Sequence, residues 1–433
     1  MRKAVAYLIV FALAAMVLAT VPMSTSAGYV GDVTILKNGK VDPANAPIYV
    51  SGSIYTMTDD ITGTITIEKS GITLDGAGFT VGGSGTGNGI YLEDVNGVTL
   101  MNLNIHGFLD GIMMISSNHN TIKQNTVSQC VDDCIDLKGS DGNTIKENMI
   151  TNSGQVNIGD TTDELYANGI FLEDCDDNTI KENTVSYIID DAIYLIYSSD
   201  NTVKTNIVTD STWGIVAEMS SHNNIIKENT VTDMSSNSIV VALNCFNNNI
   251  CHNVVSNAVW GGIAVASNAN NNMVKENTLY NTRIGVMVFM SSGNCIWANS
   301  VSGCIWEGIR LQFSNGNTIK GNTLEHNYRG ILLIRNPAGG SNLIKENSIR
   351  ENDVGMILSY NSYDNVVYHN NFVANGNQAI DNGIGNCWDN GAEGNYWSDY
   401  SGMDMDDDGI GDTPYYINGV AGSADNYPLM NPW

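Results

Sequence analysis

The sequence predicts an all-β chain wound as a parallel β-helix, a solenoid of about 13 coils with a cap at each end. Three observations predict it: a phrase that repeats at a near-constant interval, a second strand-like phrase between its copies, and a composition poor in helix formers. The repeated phrase is Asn-Thr-Ile-Lys-Glu-Asn-Thr-Val with small changes. Its first Asn falls at Asn120, Asn143, Asn178, Asn201, Asn224, Asn248, Asn272, Asn294, Asn317, Asn342 and Asn365, 22 to 25 residues apart except for one step of 35. A second Asn follows five residues later each time, from Asn125 and Asn148 to Asn347 and Asn370. Between the copies lies Gly-Ile-x-Leu, as in Gly169-Ile170-Phe171-Leu172, Gly308-Ile309-Arg310-Leu311 and Gly330-Ile331-Leu332-Leu333. A period in the low twenties made only of strands marks a β-helix; the LxxLxL spacing of leucine-rich repeats is absent.

The elements follow in order. Residues 1–27 read as a signal peptide: Arg2 and Lys3 precede an apolar run, and Thr25-Ser26-Ala27 supplies small residues for cleavage; a retained membrane anchor is the alternative. Residues 28–65 are expected to cap one end of the rod, 66–375 to form the coils and 376–433 to cap the other end, because open strand edges at either end need covering. In each coil Ile, Val and Leu alternate inward, and the Lys slot (Lys123, Lys146, Lys181 and so on) faces solvent. Each repeated Asn is expected to take a left-handed turn conformation and to bond its equivalent one coil away. The 35-residue step inserts a loop around 152–166 that contains Asp160, Asp163 and Glu164.

Charge and composition bound the function. With 46 Asp+Glu against 19 Lys+Arg the net charge is −27, so no nucleic-acid partner is expected. The 44 Gly and 7 Pro suit many tight turns, and 42% hydrophobic residues suffice for a sizeable core. Eight cysteines without a CxxC leave disulfide bonding open.

Aligning the Gly-Ile-x-Leu phrases makes columns along the coils. The residue two before Ile runs Asp110, Asp133, Asn168, Asp191, Trp213, Asn237, Gly261, Ile284, Glu307, Arg329, and one place earlier stand Asp132, Asp190, Trp260, Trp306 and Tyr328. Carboxylates one or two coils apart bracket the separations that glycosidases use, so Asp110, Asp132, Asp133 and Asp191 are the catalytic candidates. Trp213, Trp260, Trp306 and Tyr328 are the candidate ligand-binding residues, since aromatic faces stack on sugar rings. The competing reading makes each Asp a former of the turn into its strand. Outward positions such as Met113, Phe171, Tyr194, Val240, Met287 and Leu332 are apolar, which suits a groove or self-association through an outer stripe.

The repeats over about 60–376 resemble the right-handed parallel β-helix repeats of the carbohydrate-binding and sugar-hydrolase group. That group includes NosD of nitrous oxide reductase maturation and many archaeal surface proteins, and the ending Gly394-Asn395-Tyr396-Trp397-Ser398-Asp399-Tyr400 is similar to that of the archaeal members. The resemblance implies the fold; the fold hosts several activities. Asp132-Asp133-Cys134-Ile135-Asp136 also resembles the paired-aspartate strand of polygalacturonases. The Gly-His-Gly strand that follows in those enzymes reads Ala167-Asn168-Gly169 here, and their Arg-Ile-Lys motif is missing.

Asp404, Asp406, Asp408 and Asp412 stand at positions 1, 3, 5 and 9 of a loop with Gly409 at its turn, a Ca²⁺-type pattern lacking the final Glu; a structural Ca²⁺ in the C-terminal cap is expected. Copper, which the NosD resemblance suggests, is not expected, because the six histidines are scattered over different coils. The favoured expectation is an exported cell-surface protein that binds polysaccharide or cell-surface glycan or builds a surface layer. The alternatives are a polysaccharide hydrolase, lyase or epimerase using Asp110, Asp133 and Asp191, and a NosD-like copper-binding protein.

Overall fold

The computed structural model describes residues 28–154 and 167–433; the signal-peptide reading of 1–27 and most of the inserted loop, including Asp160, Asp163 and Glu164, lie outside them. The described chain is a parallel β-solenoid of about 14 turns with no helix, its coils built of three sheets of 16, 16 and 15 strands, with a two-stranded antiparallel pair, Tyr415–Tyr416 and Ala424–Asp425, in the C-terminal cap. One carries the Gly-Ile-x-Leu strands and is called here the long-strand face. The other two carry the Thr-Ile-Lys and Thr-Val-Ser strands. Pairing is in register from coil to coil: Ile112 sits beside Ile135, which sits beside Ile170 and then Ile193.

Within each coil the period-2 alternation sends one set of side chains inward, and the stacked coils turn it into a continuous core in which Ile112, Ile135, Ile170 and Ile193 are fully buried. The Gly of each Gly-Ile-x-Leu phrase stands where the chain turns into the long strand. A Cβ at Gly111 would lie 2.3 Å from Val127 Cγ1, and one at Gly330 would lie 2.4 Å from the Gly355 carbonyl oxygen, so only Gly fits there.

The two Asn columns form internal ladders. The Asn206 N–H and Nδ2 both donate to Asn229 Oδ1 at 3.0 Å, and Asn229 Nδ2 donates to the Val203 carbonyl and to Asn253 Oδ1, each at 3.0 Å. These bonds satisfy corner backbone groups that no sheet reaches. The left-handed residue is not the ladder Asn, as expected from sequence, but the one before it: Glu147, Glu182, Thr205 and Glu228 have φ of 57°, 58°, 53° and 56°. The ladder Asn must aim its side chain inward, so its predecessor makes the corner and accepts a conformation unfavourable for a residue with a Cβ.

All eight cysteines are free thiols. Cys175 occupies a slot that is Ser on adjacent coils: the Ser140 N–H donates to Cys175 Sγ at 3.3 Å, and the Cys175 N–H donates to Ser198 Oγ at 3.0 Å.

At the N-terminal end Val41–Asp42 and Ile48–Ser51 pair antiparallel onto the outermost strands. At the other end the two repeated Asn columns stop on buried aspartates. Asn386 Nδ2 donates to Asp381 at 3.0 Å, while Asp425 accepts the Asn395 N–H at 2.7 Å and Trp397 Nε1 at 2.8 Å. Phe372, Trp397 and Tyr415 stack with ring centroids 4.4 and 4.2 Å apart, closing the core.

Candidate functional site

The outer surface of the long-strand face divides into three zones along the rod, acidic, apolar and aromatic-cationic. The acidic zone occupies the coils around Asp110–Ile115 and Ile135–Lys138. Asp110 Oδ1 accepts the Asp133 N–H at 3.3 Å, Asp133 Oδ1 accepts the Asn168 N–H at 2.7 Å, and Asn168 Oδ1 accepts the Asp191 N–H at 3.3 Å. The column is therefore another ladder, in which Asp and Asn do the same work. Asp110, Asp133 and Asp136 are 6%, 4% and 2% exposed, and one oxygen of each lies within 4.8 Å of the others.

Asp136 projects outward from mid-strand and bonds Lys138 Nζ at 3.1 Å through Oδ2, while its buried Oδ1 has no partner. Burial, then the charge of Asp132, pushes Asp110 up to about 6, and burial against the opposing pull of Lys138 pushes Asp136 up to about 6. Asp133 is raised well above the carboxylate range, chiefly by burial and then by Asp132 and Asp136. The structure thus gathers Asp110, Asp132 and Asp133 with Asp136, a residue passed over as a candidate although the strand's alternation places it outward. Asp191 stands two coils from Asp133, beyond Asn168, and its value is raised by burial and by Asp190 and Glu218.

In the apolar zone Val216, Val240, Ala242 and Ala264 point outward yet are 2–5% exposed, covered by Tyr194, Trp213, Leu243, Ala266 and Met287. Trp213 belongs here and not with the other aromatic candidates.

The third zone is a rail along the edge where the chain enters the long strands. Trp260, Arg283, Trp306 and Tyr328 occupy consecutive coils, tied by backbone bonds from Ile284 to Trp260, Trp306 to Arg283 and Arg329 to Trp306. The Arg283 guanidinium lies between two indoles, its Cζ 3.6 Å from the Trp306 ring centroid and 4.6 Å from that of Trp260. Beside it Glu307, 1% exposed, pairs with Arg329 Nη1 at 2.7 Å, and Arg329 covers the Tyr328 ring at 4.6 Å. Trp260 and Tyr328 remain 51% and 45% exposed, presenting ring surface to solvent.

Arg283 is not among the residues the sequence singles out, because it stands in the column between Trp260 and Trp306 without being aromatic itself. A signal was present: every Arg after Arg2 lies between Arg283 and Arg350.

In the C-terminal loop, one carboxylate oxygen from each of Asp404, Asp406 and Asp408 lies within 4.8 Å of the others. Asp404 accepts the N–H groups of Asp408 and Gly409, at 3.2 and 2.9 Å, and Asp412 accepts that of Met405 at 2.8 Å.

A family model described as periplasmic copper-binding protein (NosD) matches residues 30–168 and 232–402, and one described as right handed beta helix region matches 156–301. The chain is 32% identical over 123 residues to the probable ABC transporter binding protein NosD of Pseudomonas aeruginosa, covering 26% of this chain and 29% of that protein. It is also 32% identical over 126 residues to the protein of the same name from Stutzerimonas stutzeri, covering 26% and 28%. The matched stretch thus spans less than a third of either relative.

Similar solved structures include a double mutant of the periplasmic alginate epimerase AlgG (TM-score 0.49, 16% identity, 74% of this chain and 79% of that one). Another is a tailspike protein mutant of an E. coli bacteriophage in complex with a pentasaccharide (TM-score 0.46, 12% identity, 74% and 69%).

Proposed function

This chain belongs to the family described as periplasmic copper-binding protein (NosD), and from that premise we propose that it is an exported β-helix that holds a polysaccharide or cell-surface glycan along its long-strand face. Export rests on the family's periplasmic description together with the signal-like residues 1–27.

The observation that carries the glycan reading is the Trp260–Arg283–Trp306–Tyr328 rail. Trp260 and Tyr328, each with about half its surface exposed, offer ring faces that stack on the apolar faces of sugar rings, and a guanidinium fixed between indoles offers donors to hydroxyls or carboxylates without losing further freedom on binding. Arg283 Cζ lies 4.6 and 3.6 Å from the two ring centroids, so the Trp260 and Trp306 rings stand no more than about 8 Å apart along the rod, and the rail suits an extended polymer lying in that direction.

The same geometry weighs against a hydrolase centred on the aspartates. Asp110 and Asp133 are almost wholly buried, and each commits an oxygen to the amide of the next coil, as Asn168 does. A ladder position needs an acceptor, whereas a general acid must reach a substrate oxygen.

The copper of the family description does not fit the residues present. Among the described residues the groups of three close donors are all carboxylate, which suits hard cations. Cys130 and Cys134 adjoin inside the coil, where their mutual hydrogen bond and burial hold the Cys130 thiol well above its ordinary value, against the thiolate that copper needs. We further propose that Asp404, Asp406, Asp408 and Asp412 take a structural Ca²⁺ that orders the C-terminal cap.

The glycan reading is tested by passing the purified protein over immobilised neutral and acidic polysaccharides and analysing the polymers by mass spectrometry afterwards. Retention on at least one polymer with its chain length unchanged is expected. Absence of retention on all, or shortened, unsaturated or epimerised products, would sink it.

A further inference from the structure

The acidic zone presents a problem that the fold does not require. Its ladder needs only an acceptor for the next coil's N–H, and neutral Asn168 supplies one between Asp133 and Asp191. Yet Asp110, Asp133 and Asp136 bring three carboxylates together within 4.8 Å, each at least nine-tenths buried, with Asp132 close by. Gathering buried like charges is costly, and the one cation beside them, Lys138, pairs directly with Asp136 while easing Asp110 and Asp132 only at a distance. Independently of that crowding, Asp136 Oδ1 is buried, 2% of its residue exposed, with no hydrogen-bond donor. A buried, unpartnered carboxylate oxygen in a nest of other carboxylates lacks the partner that buried acceptors ordinarily have.

We propose that Asp110, Asp133 and Asp136 bind one Ca²⁺ ion at the outer surface of the long-strand face, separate from the loop at Asp404–Asp412. Ca²⁺ takes carboxylate oxygens at about 2.3–2.6 Å, so two of its ligands stand at most about 5 Å apart, a limit that the three oxygens meet. The ladder bonds survive, because Asp110 and Asp133 each use one oxygen on the next coil and retain the other. Asp136 supplies the oxygen that now has no partner, and Lys138, whose side chain is 41% exposed, can withdraw to solvent. The ion neutralises a cluster that otherwise keeps protons, and it leaves a dication on the same face as the aromatic rail. The site does not depend on the glycan reading.

The test uses the full chain carrying Asp404→Asn, Asp406→Asn and Asp408→Asn, which removes the loop as a competing site. Calorimetric titration with Ca²⁺, with Mg²⁺ as the comparison, is expected to give one Ca²⁺ per chain, a raised unfolding temperature and weaker Mg²⁺ binding. Adding Asp133→Asn is expected to weaken binding by about tenfold or more and to remove the Ca²⁺-dependent rise. That variant keeps the ladder acceptor, so it remains folded in chelator, and Asp136→Asn should act likewise. No Ca²⁺ bound by the loop-deleted chain, or binding unchanged by both Asn variants, would overturn the proposal.

Discussion

Replacing Asn229 with Ala tests whether the Asn ladders hold the coils together. The substitution removes four bonds: two accepted by Oδ1 from Asn206 and two donated by Nδ2 to Val203 and Asn253. Asn206 and Val203 are 1% and 0% exposed, so water does not replace the lost partners. The buried Asn206 N–H without its acceptor costs about 1–3 kcal/mol, and the remaining bonds about 1 kcal/mol each after solvent exchange. The expected loss is therefore about 4–6 kcal/mol, large for a single site. Urea denaturation followed by far-UV circular dichroism reads it, and the slope should fall as well, because a solenoid with one weakened interface no longer unfolds as a unit. Asn229→Asp keeps the Oδ1 acceptor and sets a carboxylate oxygen against Asn253 Oδ1, so its penalty should shrink as the pH falls and the group protonates. A loss below about 1 kcal/mol in Asn229→Ala with an unchanged slope would refute the claim that the ladder carries inter-coil stability.

Other expectations follow from the same structure. In chelator, Asp110 and Asp136 hold protons in the folded chain up to about pH 6 and release them near 3.8 when unfolded, so stability should fall as pH rises between those values; thermal unfolding at pH 4.5 and 7.5 reads it, and Asp110→Asn with Asp136→Asn should flatten the slope. Asp425→Ala strips the acceptor from Asn395 and Trp397, so hydrogen exchange should quicken in the last coils and not near Asn120. A thiol reagent should count eight free cysteines in the unfolded chain, and reductant should leave the unfolding temperature unchanged. Removing Ca²⁺, or introducing Asp406→Asn, should speed proteolysis of 400–415 without loss of the far-UV signal.

Much of this was legible in the residues, and the reason is periodicity. When one coil repeats every 22 to 25 residues, aligning the phrases is equivalent to reading the sheet register, so the columns through Asp110 and Trp260 stand in the sequence itself. What failed was the assignment of conformation within the phrase. Asn is the usual left-handed residue, yet here Glu and Thr hold that corner, because the inward bond of the ladder outweighs local preference. Two site residues were missed for a related reason. Arg283 matters through the indoles one coil above and below it, and Asp136 through carboxylates on its own and the preceding coil. A search by residue type along one column overlooks both. The cysteines were ambiguous because thiol and hydroxyl serve the same Ser slot, as at Cys175, which a count cannot show.

The central claim is that the aromatic-arginine rail holds a glycan. Calorimetric titration of an oligosaccharide from a retained polymer into the native chain and into Trp260→Ala/Trp306→Ala tests it most directly. Losing two stacking faces at about 1 kcal/mol each should weaken binding by more than about tenfold, whereas Trp213→Ala should leave it unchanged. Equal affinity for the native chain and the double variant would contradict the account.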